Sequence, residues 1–284
     1  MRPADIFRFA RDAAAGYPLR TTLSVLAMAI GVAAVVLLTA LGDGARRYVV
    51  GQFSSLGTNL VIVLPGRTGT GGFNPATAIT STPRDLTIAD AQALLRAPAV
   101  RRVGPLAVGT SEISAGGRLR EVMVAGANRD FFAIRNFELA QGEALPDDDW
   151  QRAAPVAVIG AKVQEELFGR EPALGRLVRV GDRRLRVIGV LRPTGQGLGM
   201  NTDELVVVPV ALAQAMFNSN TLFRILVEAR SREAIPAAST QVLELLKQRH
   251  RGEEDITVIT QDAVLATFDK LLRALTAAVA GIAA

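Results

Sequence analysis

TTLSVLAMAIGVAAVVLLTALG, Thr21 to Gly42, runs for 22 residues without a charge. As an α-helix at ~1.5 Å per residue it would reach ~33 Å, about the hydrocarbon thickness of a bilayer. Apolar residues fall on every side of that helix, whereas a surface helix of a soluble domain keeps a polar stripe. Its threonines and serine can return their hydroxyls to the helix backbone. Two other readings compete. One is a buried helix of a soluble protein, for which the stretch is unusually long and pure. The other is a cleaved signal peptide, whose apolar core and preceding segment would both be shorter. Residues 21–42 are therefore expected to form a transmembrane helix. Within it Ala27 and Gly31 form a small-xxx-small pair expected to admit a neighbouring helix closely; lipid-facing small residues are the alternative.

The flanks set an orientation. Arg2, Arg8, Arg11 and Arg20 precede the span with Asp5 and Asp12, and Arg46 and Arg47 follow it with Asp43. The excess of basic residues before the span favours a cytoplasmic 1–20 segment, in which IFRFARDAAA can lie as a short interfacial helix. After the span, GDGARRYVVGQFSSLG continues the helix as a stalk over 43–58, with Val49, Val50, Phe53 and Leu56 at helical spacing and Gly57 as its stop. At the other end, ALTAAVAGIAA is uncharged from Ala274 to Ala284, too short to span alone. With FDKLLR before it, 266–284 is expected to be the start of a second membrane helix; a small amphipathic C-terminal helix is the alternative. Nothing between the two apolar stretches is long enough to span, so Asp43 to about Asp269 should lie on one side of the membrane.

Composition narrows the function. The 284 residues are 49% hydrophobic, and the mean hydropathy of +0.27 is high for a soluble domain. Lys and Arg number 32 against 27 acids, with no block dense enough to suggest a nucleic-acid face. The absence of cysteine excludes disulfides, thiolate metal sites and cysteine nucleophiles.

Outside the membrane the fold class reads as α+β. NLVIVLPG is a short strand; after a Gly/Thr/Ser/Pro-rich stretch, LTIADAQALLRAP is a helix with Asp90 near its start, and PLAVGTSEISAGG is a strand. This β-α-β unit, 59–115, has a counterpart in 211–265: strand TLFRILVEA, a helix with Val242, Leu245 and Leu246 on one face and Pro236 in its first turn, and strand DITVIT. The two halves are expected to form one porter-like layer that stands without the middle. That middle, 116–210, is a β-rich inserted subdomain, with a hairpin signal at Gly181-Asp182 and a short helix in AKVQEELFG. Phe131, Phe132, Phe137 and Trp150 are expected to pack inside it, with a partner protein held by exposed rings as the alternative.

The sequence offers no complete chemical site. PGRTGTGG, Pro65 to Gly72, follows a strand as a phosphate loop would, but lacks the Gly-Lys-Ser/Thr ending and any helix start close behind. His250, the single histidine, sits between Arg249 and Arg251 at a helix end and reads as a surface cap. Asp147-Asp148-Asp149 lacks the ligand spacing of a calcium loop and reads as a solvated turn. The serines lack a histidine base, and Lys162, Lys247 and Lys270 fall on helix surfaces. No catalytic, metal or cofactor-binding residue is expected.

PLRTTLSVLAMAIGVAAVVLLTALGDGARR followed by SSLGTNLVIVLPG closely resembles the start of MacB-type ABC transporter permeases of the MacB/FtsX superfamily. NRDFFAIRNFELAQGEAL, APVAVIGAKVQEELFG, LGRLVRVGDRRLRVIGVL and HRGEEDITVITQD match in order, so the resemblance covers essentially the whole chain. It implies a cytoplasmic N-terminus, one membrane helix, a large periplasmic domain and then three more helices, in a homodimeric permease of the inner membrane. It also implies a cytoplasmic ABC ATPase and, in some relatives, a periplasmic adaptor for efflux; others release lipoproteins, and FtsX relatives control cell-wall hydrolases without moving solute. The chain carries no nucleotide-binding domain before its first helix, so the ATPase is expected to be a separate polypeptide. It ends where the second helix begins, as a fragment or truncated reading frame that by itself should not transport. In the mechanical role so implied, Arg46 and Arg47 anchor the membrane exit and the helix through Phe53 carries movement outward, in contact with membrane lipid and no nucleic acid.

Overall fold

A computed structural model of the chain describes residues 16–56, 59–66, 85–169, 171–193, 196–197 and 200–283. It comprises two compact units, residues 1–49 with 265–284, and residues 50–264.

The first unit holds helical sequence. Helix α1 runs unbroken over Pro18–Leu56. Pro18 stands at its first position, where a missing N–H costs little. Thr22 and Thr39 donate their hydroxyls to Pro18 O at 2.9 Å and Val35 O at 3.0 Å, which removes free polar groups from the apolar stretch. Within Pro18–Ala45 an 18-residue window has mean hydropathy 2.5, and only 6% of it is buried. A core helix of a soluble protein would be covered; here Leu23, Leu26, Met28 and Ile30 are all exposed. Among the described residues this is the one helix long and apolar enough to cross a membrane. The last helix, Gln261–Ala283, carries Asp262, Asp269, Lys270 and Arg273 before its apolar end.

The second unit contains the split layer. Strand β1 (Leu60–Pro65), helix α2 (Ile88–Leu94) and strand β2 (Val100–Ala115) form the first half. A capping box starts α2: the Thr87 side chain accepts from Asp90 N–H, and the Asp90 carboxylate accepts from Thr87 N–H. β2 begins five residues before the strand legible in the sequence. Its first turn outward is disguised by Arg101 and Arg102, which reach across to Glu228 at 3.5 and 2.8 Å.

Between the halves, β2 turns at Gly116-Gly117, both at positive φ (+58° and +81°), into β3 (Arg118–Ala127). Then follow α3 (Arg129–Ile134), β4 (Leu139–Gly142), β5 (Val156–Ile159), α4 (Ala161–Phe168), β6 (Leu177–Val180) and β7 (Arg183–Leu191). A small ribbon of β8 (Gln196–Gly197) and β9 (Met200–Asn201) leads to β10 (Leu205–Pro209) and α5 (Val210–Phe217). The second half is β11 (Arg224–Ala229), α6 (Ile235–Arg249) and β12 (Ile256–Thr260), after which α7 takes up Gln261–Ala283.

The halves interleave as β12-β1-β11-β2, antiparallel throughout. Each β-α-β half leaves a strand-wide gap that the other fills, the split βαβ arrangement. Helices α2 and α6 close one face, where Ala91, Leu94, Val242 and Leu246 meet Val61, Val63, Ile225 and Val227. Pro236 lies in the first turn of α6, as its missing N–H requires.

The inserted strands close on themselves: β2-β3-β10-β5-β7-β6 and back to β2. Closure removes the free edges that an open sheet of short strands would present. Alternation along β10 shows its two faces, with Val206 and Val208 in the core shared with Ile113, Val180 and Leu185, and Leu205 and Val207 in a second core. The Gly181-Asp182 hairpin forms, with Val180 opposite Arg183.

The phenylalanines do more than fill the insert. Phe131, Phe132 and Phe137 meet edge to face at 5.5–6.3 Å and share the second core with Leu60, Leu106 and Leu226 of the split layer. Asn128 directs this by donating its amide to Val103 O at 2.8 Å, which starts α3 beside β2.

Candidate functional site

The two helices flanking the core join neighbouring strands. α1 precedes β1, and β12 passes into α7 without a linker, Thr260 to Gln261. β1 and β12 are antiparallel with Val61 opposite Thr260, so both connections fall at one end of one two-stranded ladder. A displacement common to both strand ends would carry that ladder as a body. One that separated them would open it from the Val61–Thr260 pair onward.

The residues singled out in the sequence lie along α1. Ala27 is exposed, Gly31 half-buried and Arg47 exposed; Arg46 and Phe53 are in the same helix. They are strung along the helix and not gathered into a pocket. Of the glycine loop, Pro65 and Gly66 are described and the remainder, Arg67 to Gly72, lies outside the described residues. Gly66 donates to Asp255 O at 2.7 Å and its carbonyl accepts from the Thr257 hydroxyl at 2.7 Å, which ties β1 to the start of β12.

At that far end of the ladder the structure corrects the reading of His250. It does cap α6, but its side chain is fully enclosed and not on the surface. The chain reverses at Arg251 (φ 59°) and Gly252 (φ 87°), and Gly252 N–H returns to Lys247 O at 2.8 Å, which folds the imidazole inward. Its Nδ1 is 2.5 Å from Asp255 Oδ1, while Nε2 stands 3.6 Å from Asp90 Oδ2. Asp90 in turn accepts from Arg249 Nε at 2.7 Å and from the Thr87 hydroxyl at 2.7 Å. Burial pushes the Asp90 carboxyl up, but the Thr87 and Arg249 hydrogen bonds outweigh it and hold the group below its ordinary range. The result is a polar clamp joining α2, α6 and β12. Its local parts had signals in Thr87-x-x-Asp90 and in the five-residue spacing of His250 and Asp255; the pairing of Asp90 with Arg249 across the chain had none.

A second clamp stiffens the closed ring. Arg120 on β3 meets Glu166 of α4 and Glu204, the latter at 3.0 Å, and Lys162 reaches Glu204 at 2.5 Å. Asp148 of the acidic triplet pairs with Arg152 at 2.6 Å in an exposed turn. Among the described residues no group of three or more His, Asp or Glu is placed to hold a metal ion.

Residues 21–245 match the MacB-like periplasmic core domain family. The macrolide export ATP-binding/permease protein MacB of Shewanella sp. (strain W3-18-1) is 32% identical over 285 residues, which is 99% of this chain and 43% of that protein. The chain thus spans less than half the length of the curated relatives it matches. Among solved structures, the periplasmic region of MacB from Actinobacillus actinomycetemcomitans superposes with a TM-score of 0.65 at 20% identity, covering 78% of this chain and 98% of that one. The extracellular domain of the ABC-type transporter YknZ from Gram-positive bacteria gives 0.57 at 22% identity, covering 71% and 100%. These two show the fold. α1 is accordingly an inner-membrane helix and the core unit is a periplasmic domain. With its apolar helix, split layer and closed inserted ring, the chain belongs to the MacB-like periplasmic core domain family.

Proposed function

We propose that the chain is the membrane-anchored periplasmic part of an ABC transporter permease, which converts ATP-driven movement of a separate cytoplasmic ATPase into movement of its core, in the service of efflux. The observation that supports this reading is the pairing of β1 with β12, which brings the connections to α1 and α7 to one end of one ladder. In this reading the permease is a homodimer, Ala27 and Gly31 let α1 pack against a neighbouring helix, and Arg46 and Arg47 hold the membrane exit. Phe53 lies on the stalk that transmits the motion, and a periplasmic adaptor protein receives it. The segments follow the same logic: 1–20 cytoplasmic, 21–42 in the membrane, 43–58 stalk, 59–115 and 211–265 the split layer, 116–210 the insert, and 266–284 the start of a second span.

The chain has no cysteine, so a single one at Leu119, exposed at the β2–β3 hairpin, is a clean reporter. In native membranes, trapping the ATPase with ATP and vanadate should change the labelling rate of Leu119→Cys several-fold. Three glycines inserted between Val49 and Val50 should abolish the change while ATP hydrolysis persists. An unchanged rate on trapping, or a change that survives the insertion, defeats the proposal.

A further inference from the structure

Two arginines lie against the second face of the split layer with no ion-pair partner among the described residues. Arg224 opens β11 and alternates with Ile225, which faces the α2/α6 core, so it shares the face of Leu226. α3 packs over that face and Arg135 is its C-cap, 6% exposed. The Nε atoms of both arginines are buried without a hydrogen-bond partner. Each guanidinium instead lies over a ring, Arg135 over Phe137 at 5.5 Å and Arg224 over Phe223 at 4.9 Å. A ring face offsets part of a cation's desolvation but supplies no acceptor.

The acids on the same elements are already engaged. Asp130 of α3 faces Arg102 at 3.9 Å, and Glu228 of β11 holds Arg101 and Arg102. The core segments outside the described residues, 57–58, 67–84, 170, 194–195 and 198–199, contain no Asp or Glu. Among the described residues no carboxylate forms an ion pair with either arginine, and burial alone shifts Arg224. Arg120 and Arg249, by contrast, each meet a carboxylate. Burial, and then the neighbouring Arg224 charge, pushes Arg135 down to about 10. Both remain cations at neutral pH, so the charge is uncompensated and calls for an anion from outside.

We propose that Arg135 and Arg224 form a receptor for an oxyanion, a carboxylate or phosphate group, carried by a small ligand whose apolar body rests on the half-exposed Phe223. Guanidinium forks match both groups with paired N–H donors. The inference does not rest on the transport reading, since the charge imbalance exists whatever the core moves.

The test uses the full chain in neutral detergent at constant ionic strength and pH 7.5. Sodium acetate, sodium hexanoate and inorganic phosphate are each titrated against chloride, with the unfolding temperature and binding heat as readouts. At least one oxyanion should raise the unfolding temperature saturably where chloride does not, and the phosphate arm against the two carboxylates identifies the group. Hexanoate binding more tightly than acetate supports the apolar rim at Phe223; equal affinities remove the rim from the proposal. Arg135→Gln and Arg224→Lys should each weaken binding by ~10-fold or more, and Arg184→Gln on the exposed face of β7 should leave it unchanged. In chloride alone, Arg135→Met should melt no lower than the unaltered chain, because it removes an unanswered buried charge. A saturable response to none of the three anions, or one of equal strength in both Arg135→Gln and Arg224→Lys, overturns the site. Should Arg135→Gln fail to fold, Arg224→Lys, which keeps the charge and loses the fork, decides alone.

Discussion

Removing the Asp90 carboxylate should cost the core about 2–3 kcal/mol, assembled from three contacts. Asp90 accepts from Thr87 N–H at 3.1 Å and from the Thr87 hydroxyl at 2.7 Å, and losing this capping box is worth ~1 kcal/mol. The bond from Arg249 Nε at 2.7 Å joins a 4% exposed carboxylate to a 36% exposed guanidinium; discounted for solvent screening, it adds ~1 kcal/mol. The space left beside the enclosed His250 supplies the rest. In a core of this size ~2–3 kcal/mol lowers the melting temperature by roughly 4–12 °C. The assay is urea unfolding of segment 50–264 carrying Asp90→Ala, followed by far- and near-ultraviolet circular dichroism with an unchanged m-value. A cycle with Arg249→Leu should return a coupling of ~1 kcal/mol. The pH dependence follows from the depressed carboxyl: its stabilisation is complete above the ordinary value of 3.8 and is lost as pH falls below it. The gap between Asp90→Ala and the unaltered core should therefore close on acidification through that window. A loss under about 0.5 kcal/mol at pH 7, or a gap that widens in acid, refutes the clamp.

Further outcomes are expected elsewhere. In intact spheroplasts a membrane-impermeant thiol reagent should label Thr70→Cys and not Arg11→Cys; labelling of both, or neither, contradicts the topology. Gly160→Ala should destabilise the core by ~1–3 kcal/mol in the same urea assay. The backbone there, φ −71° and ψ 159°, suits any residue, so the cost comes from a Cβ placed 2.3 Å from Asp203 O. Replacing Gly117 to Pro209 by a short Gly/Ser linker should yield a segment without a cooperative melt, because it strips Phe131 and Phe132 from Leu60, Leu106 and Leu226; a sharp transition would show the layer to be self-sufficient.

The parts of this fold that the sequence reveals are those governed by short-range pattern. The uncharged run, the capped start of α2, the Val242–Leu246 face of α6 and the Gly181-Asp182 turn each announce themselves within a few residues. What escapes is decided by distant partners. β2 looks shorter than it is because Arg101 and Arg102 read as loop until Glu228 is seen across the strand. His250 looks solvated because a cation at a helix end is cheap there, and the left-handed turn at Arg251 that buries it gives only a glycine as its sign. The closure of β6 on β2 rests on pairs such as Ile113 with Val180, which no local window contains. Arg135 and Arg224 stand far apart in the chain, each unremarkable alone, and become a site only when α3 lies on β11.

β2 is 16 residues long and belongs to both assemblies: from Val100 to Leu106 it pairs with β11 in the split layer, and from Ala107 onward with β3 in the ring. Under the proposed coupling, displacement arriving at β1 and β12 reaches β11 through the β1 ladder and then β2, whose own backbone continues into the ring. No loop interrupts that route. Under the same proposal, Asp90, Arg249 and Asp255 would hold α2 and α6 to the start of β12, and Arg120 would brace β3 against α4. A packed interior resists continuous deformation, so a ring joined by an unbroken strand and a shared phenylalanine core should follow the layer as a rigid extension rather than absorb its motion.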